Sequence, residues 1–288
     1  MSDPNSWITP HLEKIFKEYD PDDQVVKAAS YSLFAGGKRM RPALMRASAK
    51  MLSIDPEEIA PYACALEMIH TYSLIHDDLP CMDNDDYRRG QATCHKVFGE
   101  GIAVLAGDML LNSAHEVLLK QAFISENHAR ASYNISKNSG IMGMIGGQSI
   151  DLESEGKHIT LDRLYELQKK KTGALILASI TTPYYLSSYD VKILDLLQDF
   201  AGHLGLAFQI KDDILDVEAD ASVIGKSTGK DARDDKSTFV TMLGIEGARE
   251  KLREEEDGCY KVLSDLSSMN MDIIDLKELT DFNLKREY

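Results

Sequence analysis

The sequence predicts an all-α fold in a single domain spanning 1–288, and three observations predict it. Apolar residues recur at three- and four-residue spacing along most of the chain, the period of a helix face. Strand-like alternation bounded by turn residues is nearly absent. The chain has 288 residues, 43% of them hydrophobic, enough to enclose a sizeable core, and no Ser/Pro-rich linker, low-complexity tract or repeat divides it. Helices are expected over 6–18, 22–35, 42–53, 57–79, 101–121, 126–153, 161–186, 190–219, 237–264 and 272–286. The break before the third lies in "FAGGKRMRP", where two glycines precede Pro42. Proline suits a first helical turn and is expected to keep Arg41 out of helical geometry. The fourth helix runs through "EMIHTYSLI" into Pro80, which breaks or kinks it. Polar stretches at 84–96 and 222–238, the latter within "EADASVIGKSTGKDARDDKST", read as loops and as candidate lids.

Charge and composition exclude several classes. With 32 Lys and Arg against 47 Asp and Glu the formal net charge is -15, so a nucleic-acid backbone is repelled. The N-terminal "MSDPNSWITPHLEKIF" is polar and amphipathic rather than a secretory signal, and no uninterrupted apolar run reaches the length of a membrane span. A cytoplasmic protein with no integral membrane segment is expected. Cys64, Cys81, Cys94 and Cys259 lie far apart without CxxC spacing, which fits reduced thiols better than a disulfide frame or zinc site.

Two acidic segments carry the chemistry. In "FQIKDDILD", Gln209, Asp212, Asp213 and Asp216 fall at spacings of three and four, one stripe of a helix. Three carboxylates on one face repel one another without a cation. A solvated acidic face is the bland alternative, but Ala207, Phe208, Ile210, Ile214 and Leu215 leave little of this helix free to face water. In "HDDLPCMDNDDYRRG", Asp77 and Asp78 end an apolar helix, and Pro80 lets Asp83 swing back toward them. Hard carboxylate ligands suit Mg²⁺, which takes one or two carboxylates and fills the rest of its shell with water and substrate phosphate. Two sparse clusters therefore point to metal bridged to a diphosphate.

Bases stand near these acids despite the negative net charge. Lys38 and Arg41 flank the start of a helix, where backbone N–H groups favour anions. Arg88 and Arg89 follow the first acidic cluster, Lys171 sits beside Thr172, and Lys226 and Lys236 lie in the polar loop after the second. His70 precedes Asp77 by seven residues, two turns, and so shares its face; the basic cluster favours a ligand role over an ordinary core histidine. His76 lacks such support and reads as structural. "IGKST" ends like a P-loop, but Asp220 stands where that motif needs Gly and no strand precedes it.

In family order, the blocks "GGKRMRP", "HTYSLIHDDLPCMDNDDYRRG", "AGDMLL", "GGQSIDLE", "KTGALI", "FQIKDDILD", "GKSTGKDARDDKSTF" and "LTDF" resemble a trans-isoprenyl diphosphate synthase of the polyprenyl synthetase family. The likeness covers nearly the whole chain and is greatest to short-chain bacterial members that make farnesyl diphosphate. It implies a helical bundle around a central active-site cavity, usually a homodimer. It makes Asp77, Asp78, Asp83, Asp212, Asp213 and Asp216 ligands of Mg²⁺, three ions with substrate bound. It assigns Lys38, Arg41, His70 and Arg89 to isopentenyl diphosphate, and Arg88, Lys171, Lys226 and Lys236 to the allylic diphosphate. Lys171, Thr172 and Gln209 become catalytic, the last two offering oxygen dipoles beside an allylic cation. Tyr72 and Ser73, just before the first motif, take the positions that set product length, and a tyrosine there implies a product of about fifteen carbons. Val240 departs from the family's usual proline, and "LTDFNLKREY" leaves Arg286 without a role.

Rivals differ in what they require. A geranylgeranyl-forming member would have a less obstructive residue than Tyr72. A non-catalytic subunit of a heteromeric synthase would have eroded aspartates, and here all six stand. A terpene cyclase mixes Asn, Ser and Glu in its second motif and has no need of the Lys38/Arg41 pair. A di-iron bundle needs two Glu-x-x-His pairs on core helices; "EMIH" (Glu67, His70) and "EGKH" (Glu155, His158) fit by letter, the second in a polar Gly-containing stretch.

Overall fold

The computed structural model describes residues 4–223 and 237–285. Among them are thirteen α-helices, one π turn and one two-stranded hairpin, so the fold is all-α as expected. In chain order the helices are α1 (Pro4–Phe16), α2 (Gln24–Leu33), α3 (Met40–Met51), α4 (Pro56–Asp77), α5 (Cys94–Phe98), α6 (Glu100–Ala122), α7 (Glu126–Ser139), α8 (Met144–Ser154), α9 (Leu161–Gln168), α10 (Ala174–Leu186), α11 (Val191–Val223), α12 (Phe239–Ser268) and α13 (Ile274–Leu284). The hairpin strands are β1 (Tyr87–Arg88) and β2 (Gln91–Ala92), and the π turn is Lys169–Gly173. By internal contacts the chain divides into two compact units, 1–136 with 182–188 and 137–181 with 189–288.

Four sequence expectations are corrected. The helix expected over 126–153 is two, because the chain turns at Gly140, whose carbonyl accepts from Gly143 N at 2.9 Å. The helix expected over 161–186 is interrupted by the π turn. The loop expected over 84–96 contains the hairpin and the start of α5. Arg41 lies inside α3, since the helix starts at Met40; Pro42 sits within the first turn, where its missing N–H has no intrahelical partner to lose.

In the first unit, side chains close the helix starts. Asp23 caps α2 through Val25 N at 2.7 Å, and Asp55 caps α4 through Glu57 N at 2.8 Å, with Pro56 in the first helical position. Helix α4 is buried almost all round from Ile59 to Ile69, as a helix apolar on every face must be, and packs against α1, α3 and α6. Glu67 is the exception to that composition, and it meets Arg39. The carboxylate accepts from the guanidinium at 2.6 Å, with both side chains 2% exposed. Arg39 also donates to the Leu33 carbonyl, and its backbone is left-handed at φ 45°. By length and composition α6 is apolar enough to cross a membrane, but Asp108 interrupts its apolar run, 44% of that stretch is buried and the helix packs on α4 and α2.

In the second unit, α11 packs along α12. Leu164, Ala207, Ile210, Ile214, Phe239 and Leu252 form a core beneath the second acidic segment. Thr238 and Thr241 close the start of α12 reciprocally, each side chain accepting from the other's backbone N–H.

Removing one partner of a buried ion pair strands the other charge. Glu67→Ala is expected to lower unfolding free energy by about 3–5 kcal/mol in urea titration; a loss under about 1 kcal/mol would show that Arg39 is stabilised without its carboxylate.

Candidate active site

Helix α4 delivers the first aspartates and Pro80 turns the chain behind them. Asp78 is the residue after the helix, its N–H bonded to Leu74 O at 3.1 Å. The chain then doubles back: Met82 N donates to Leu79 O at 2.9 Å and Asp83 N to Asp77 O at 2.8 Å. Asp83 is thus returned to Asp77, as the proline predicts. Asp83 is exposed and Asp77 half-buried, whereas Asp78 is only 3% exposed.

The hairpin places the two arginines. Arg89 and Gly90 both have positive φ, as a two-residue turn matched to strand twist requires. Tyr31 fixes the hairpin by donating to Ala92 O at 2.7 Å. Arg88 returns to Asp78, its Nε donating to Oδ1 at 2.6 Å. Burial pushes the Asp78 pKa up and the guanidinium pulls it back only in part. Arg89 donates to the Gly36 carbonyl, and its guanidinium covers Gly37, where a Cβ would stand 2.7 Å from Cζ. Gly37, at φ 125°, is therefore required both by its backbone and by Arg89.

Around His70 the structure gathers cationic charge. The imidazole pKa falls well below its usual value, first through burial, then through Arg41, Arg89, Arg39 and Arg88. His70 is thus neutral. Burial and Arg89 lower the Arg41 pKa to about 10 against the opposing pull of Glu67, and Arg41 Nε is buried with no hydrogen-bond partner among the described residues. Lys38 is exposed nearby in sequence. Such a group of arginines, with few acids to balance it, suits a polyanion.

The second acidic segment lies on α11 as the spacing predicts. Asp213 is 8% exposed and accepts from Phe239 N at 2.8 Å. Burial raises its pKa to about 6, with Asp212 and Asp216 adding to the rise and the Phe239 and Gln209 hydrogen bonds opposing it. Asp212 is half-buried and Asp216 exposed. Thr172 Oγ1 donates to Gln209 Oε1 at 3.0 Å, and Lys171 Nζ pairs with Asp151 Oδ2 at 2.5 Å. Two of the candidate diphosphate-binding bases, Arg88 and Lys171, are therefore held by carboxylates and would have to exchange them for a phosphate.

Sequence reasoning missed Arg39 and its pairing with Glu67, as well as Asp151, Phe239 and the π turn. One signal was present: glycines inside a helical pattern cost about 1 kcal/mol each relative to alanine and ask for a packing reason. Gly147 in "GGQSIDLE" has one, because a Cβ there would strike the Lys171 backbone, 2.5 Å from its Cα. The π turn carrying Lys171 and Thr172 rests on this glycine. Lys226 and Lys236 lie outside the described residues. Tyr72 is buried, and Ser73 donates to His70 O at 2.9 Å. Glu67 is committed to Arg39 while Glu155 and His158 are exposed, which removes the two Glu-x-x-His pairs as a di-iron site.

A family model described as polyprenyl synthetase matches residues 22–270, and the chain belongs to that family. It is 44% identical to farnesyl diphosphate synthase of Geobacillus stearothermophilus over 84% of this chain and 82% of that protein. To the Bacillus subtilis (strain 168) farnesyl diphosphate synthase it is 38% identical, over 100% of this chain and 97% of the other. A solved structure of a geranyltransferase from Legionella pneumophila superposes with a TM-score of 0.84, with 34% identity over 97% of this chain and 95% of that one.

Gly147→Ala is expected to cost about 1–3 kcal/mol of stability, the usual penalty of overpacking, and to lower turnover by displacing Lys171 and Thr172. Urea titration with steady-state kinetics checks this, and unchanged stability would contradict the contact.

Proposed function

We propose that this chain is a Mg²⁺-dependent prenyltransferase that condenses isopentenyl diphosphate head-to-tail with dimethylallyl and then geranyl diphosphate, giving (2E,6E)-farnesyl diphosphate. The observation that carries the proposal is the cationic group around neutral His70, set directly behind the first aspartate motif on α4. Metal, acid and base have different tasks there. Lys38, Arg41 and Arg89 hold the diphosphate of isopentenyl diphosphate, and His70, being uncharged, orients it by hydrogen bonding. Arg88 and Lys171, with Lys226 and Lys236, hold the allylic diphosphate.

The donor set fits the metal: all six candidate ligands are hard carboxylates, and among the described residues no three acidic, His or Cys side chains close into a metal cage. Asp77, Asp78, Asp83, Asp212, Asp213 and Asp216 would hold Mg²⁺, which when bound supplies positive charge opposite the departing pyrophosphate. The allylic C–O bond breaks and its electron pair leaves with pyrophosphate. Arg88 and Lys171 neutralise part of that charge. Thr172 and Gln209 present oxygen lone pairs to the allylic cation. The double bond of isopentenyl diphosphate then attacks the cation, and a proton is lost to pyrophosphate.

Tyr72 favours the farnesyl product over geranylgeranyl diphosphate, since its buried phenol leaves less room than a small residue. The enzyme works as a single-domain cytoplasmic homodimer; Val104, Leu105 and Leu119 on α6 and Phe123 beyond it, exposed by 40%, 50%, 59% and 89%, support association. A non-catalytic subunit is disfavoured because both aspartate motifs are intact.

Chromatography of products from labelled isopentenyl diphosphate with dimethylallyl or geranyl diphosphate is expected to show a dominant fifteen-carbon diphosphate, lost with EDTA. Tyr72→Ala is expected to lengthen it. Absence of condensation would refute the enzyme reading, and a dominant twenty-carbon product from the unsubstituted chain would refute the farnesyl one.

A further inference from the structure

Tyr72 is held in an unusual way. Its ring is 5% exposed, yet its hydroxyl is buried with no hydrogen-bond partner among the described residues, so no polar contact fixes where the phenol lies. What it does touch is His76, one turn further along α4, whose ring meets it edge-on at 5.7 Å between centroids and 78° between planes. His76 is itself pinned from α6. Its Nε2 lies 3.0 Å from the Val104 carbonyl, and since a carbonyl only accepts, Nε2 carries the proton. The imidazole occupies the space left by Gly107, where a Cβ would stand 2.5 Å from Cδ2 and 2.8 Å from Cε1. The glycine, the Val104 carbonyl and the imidazole thus make a seat on α6, and the seated ring props the tyrosine.

The geometry points to His76 and Gly107 as positioning residues for product length: they hold the Tyr72 ring in its blocking place, and the stop in chain growth depends on that seat as well as on the bulk of Tyr72. This rests on the chain-elongating activity proposed above. Neither His76 nor Gly107 is needed to bind a diphosphate, so their loss should alter where elongation stops more than how fast it begins.

Four variants test this by the ratio of the product one isoprene unit longer than the parent's to the parent's own, measured beside kcat and melting temperature. His76→Ala is expected to raise that ratio roughly two- to tenfold, the factor an edge-to-face contact is worth. His76→Phe keeps a ring against Tyr72 and is expected to hold the ratio close to the parent's. Gly107→Ala unseats the imidazole and is expected to raise the ratio without touching Tyr72. The double variant His76→Ala/Gly107→Ala removes the clash, so it folds even if Gly107→Ala does not, and is expected to match His76→Ala. A parent ratio in His76→Ala or in the double variant, with only kcat or melting temperature lowered, would make the seat merely structural and overturn the inference while leaving the activity standing. An unsubstituted chain that elongates nothing overturns both.

Discussion

Positive charge crowded around His70 is the constraint on which the first unit depends. Arg39, Arg41, Arg88 and Arg89 all act on His70, while few acids oppose them: Glu67 is buried with Arg39, and Asp78 is bonded to Arg88. Two of those arginines are committed to carboxylates, yet Arg39 and Arg41 each keep a buried Nε without a hydrogen-bond partner among the described residues. Burying a guanidinium without full compensation is costly. Such an arrangement persists when the fold around it is strong and when a ligand completes it, and α4, buried almost all round, supplies the strength.

The second unit meets the opposite problem, acids crowded on one helix face. Asp213 is stabilised by a backbone N–H from the first residue of α12 and by Gln209, but burial and its acidic neighbours still raise its pKa. Cation binding would relieve that crowding. Gln209 joins this carboxylate to Thr172, and Thr172 sits on a π turn, a local irregularity of the kind often found at functional sites. The turn is tolerated because Gly147 presents no Cβ to the Lys171 backbone. Position in this unit is thus set by a missing side chain as much as by those present.

The helix pattern and the acidic stripe on α11 were legible in the sequence because periodicity reports directly on a buried face. Pro80 likewise announced the return of Asp83 to Asp77. What periodicity cannot report is pairing between residues distant in sequence: Arg39 with Glu67 and Lys171 with Asp151 are set by packing. The π turn also escaped, since "KKKTG" has the composition of an ordinary helix and its cause lies on α8. Arg41 inside α3 shows local preference yielding to context, a residue before proline that is nonetheless helical. His76, read as structural from the sequence, is tied to Tyr72 and Gly107 by contacts that spacing alone does not reveal.

In the proposed function the arginines around His70 form an anion site. Its most direct test is the pKa of the His70 imidazole by NMR, measured without metal, first free and then saturated with isopentenyl diphosphate. The free imidazole should titrate well below the usual histidine range. A bound diphosphate offsets the arginine charge that helps hold the pKa down, so the value should rise on binding, although burial still keeps it below normal. A normal pKa in the free protein, or one that stays unchanged when the diphosphate is bound, would contradict the account.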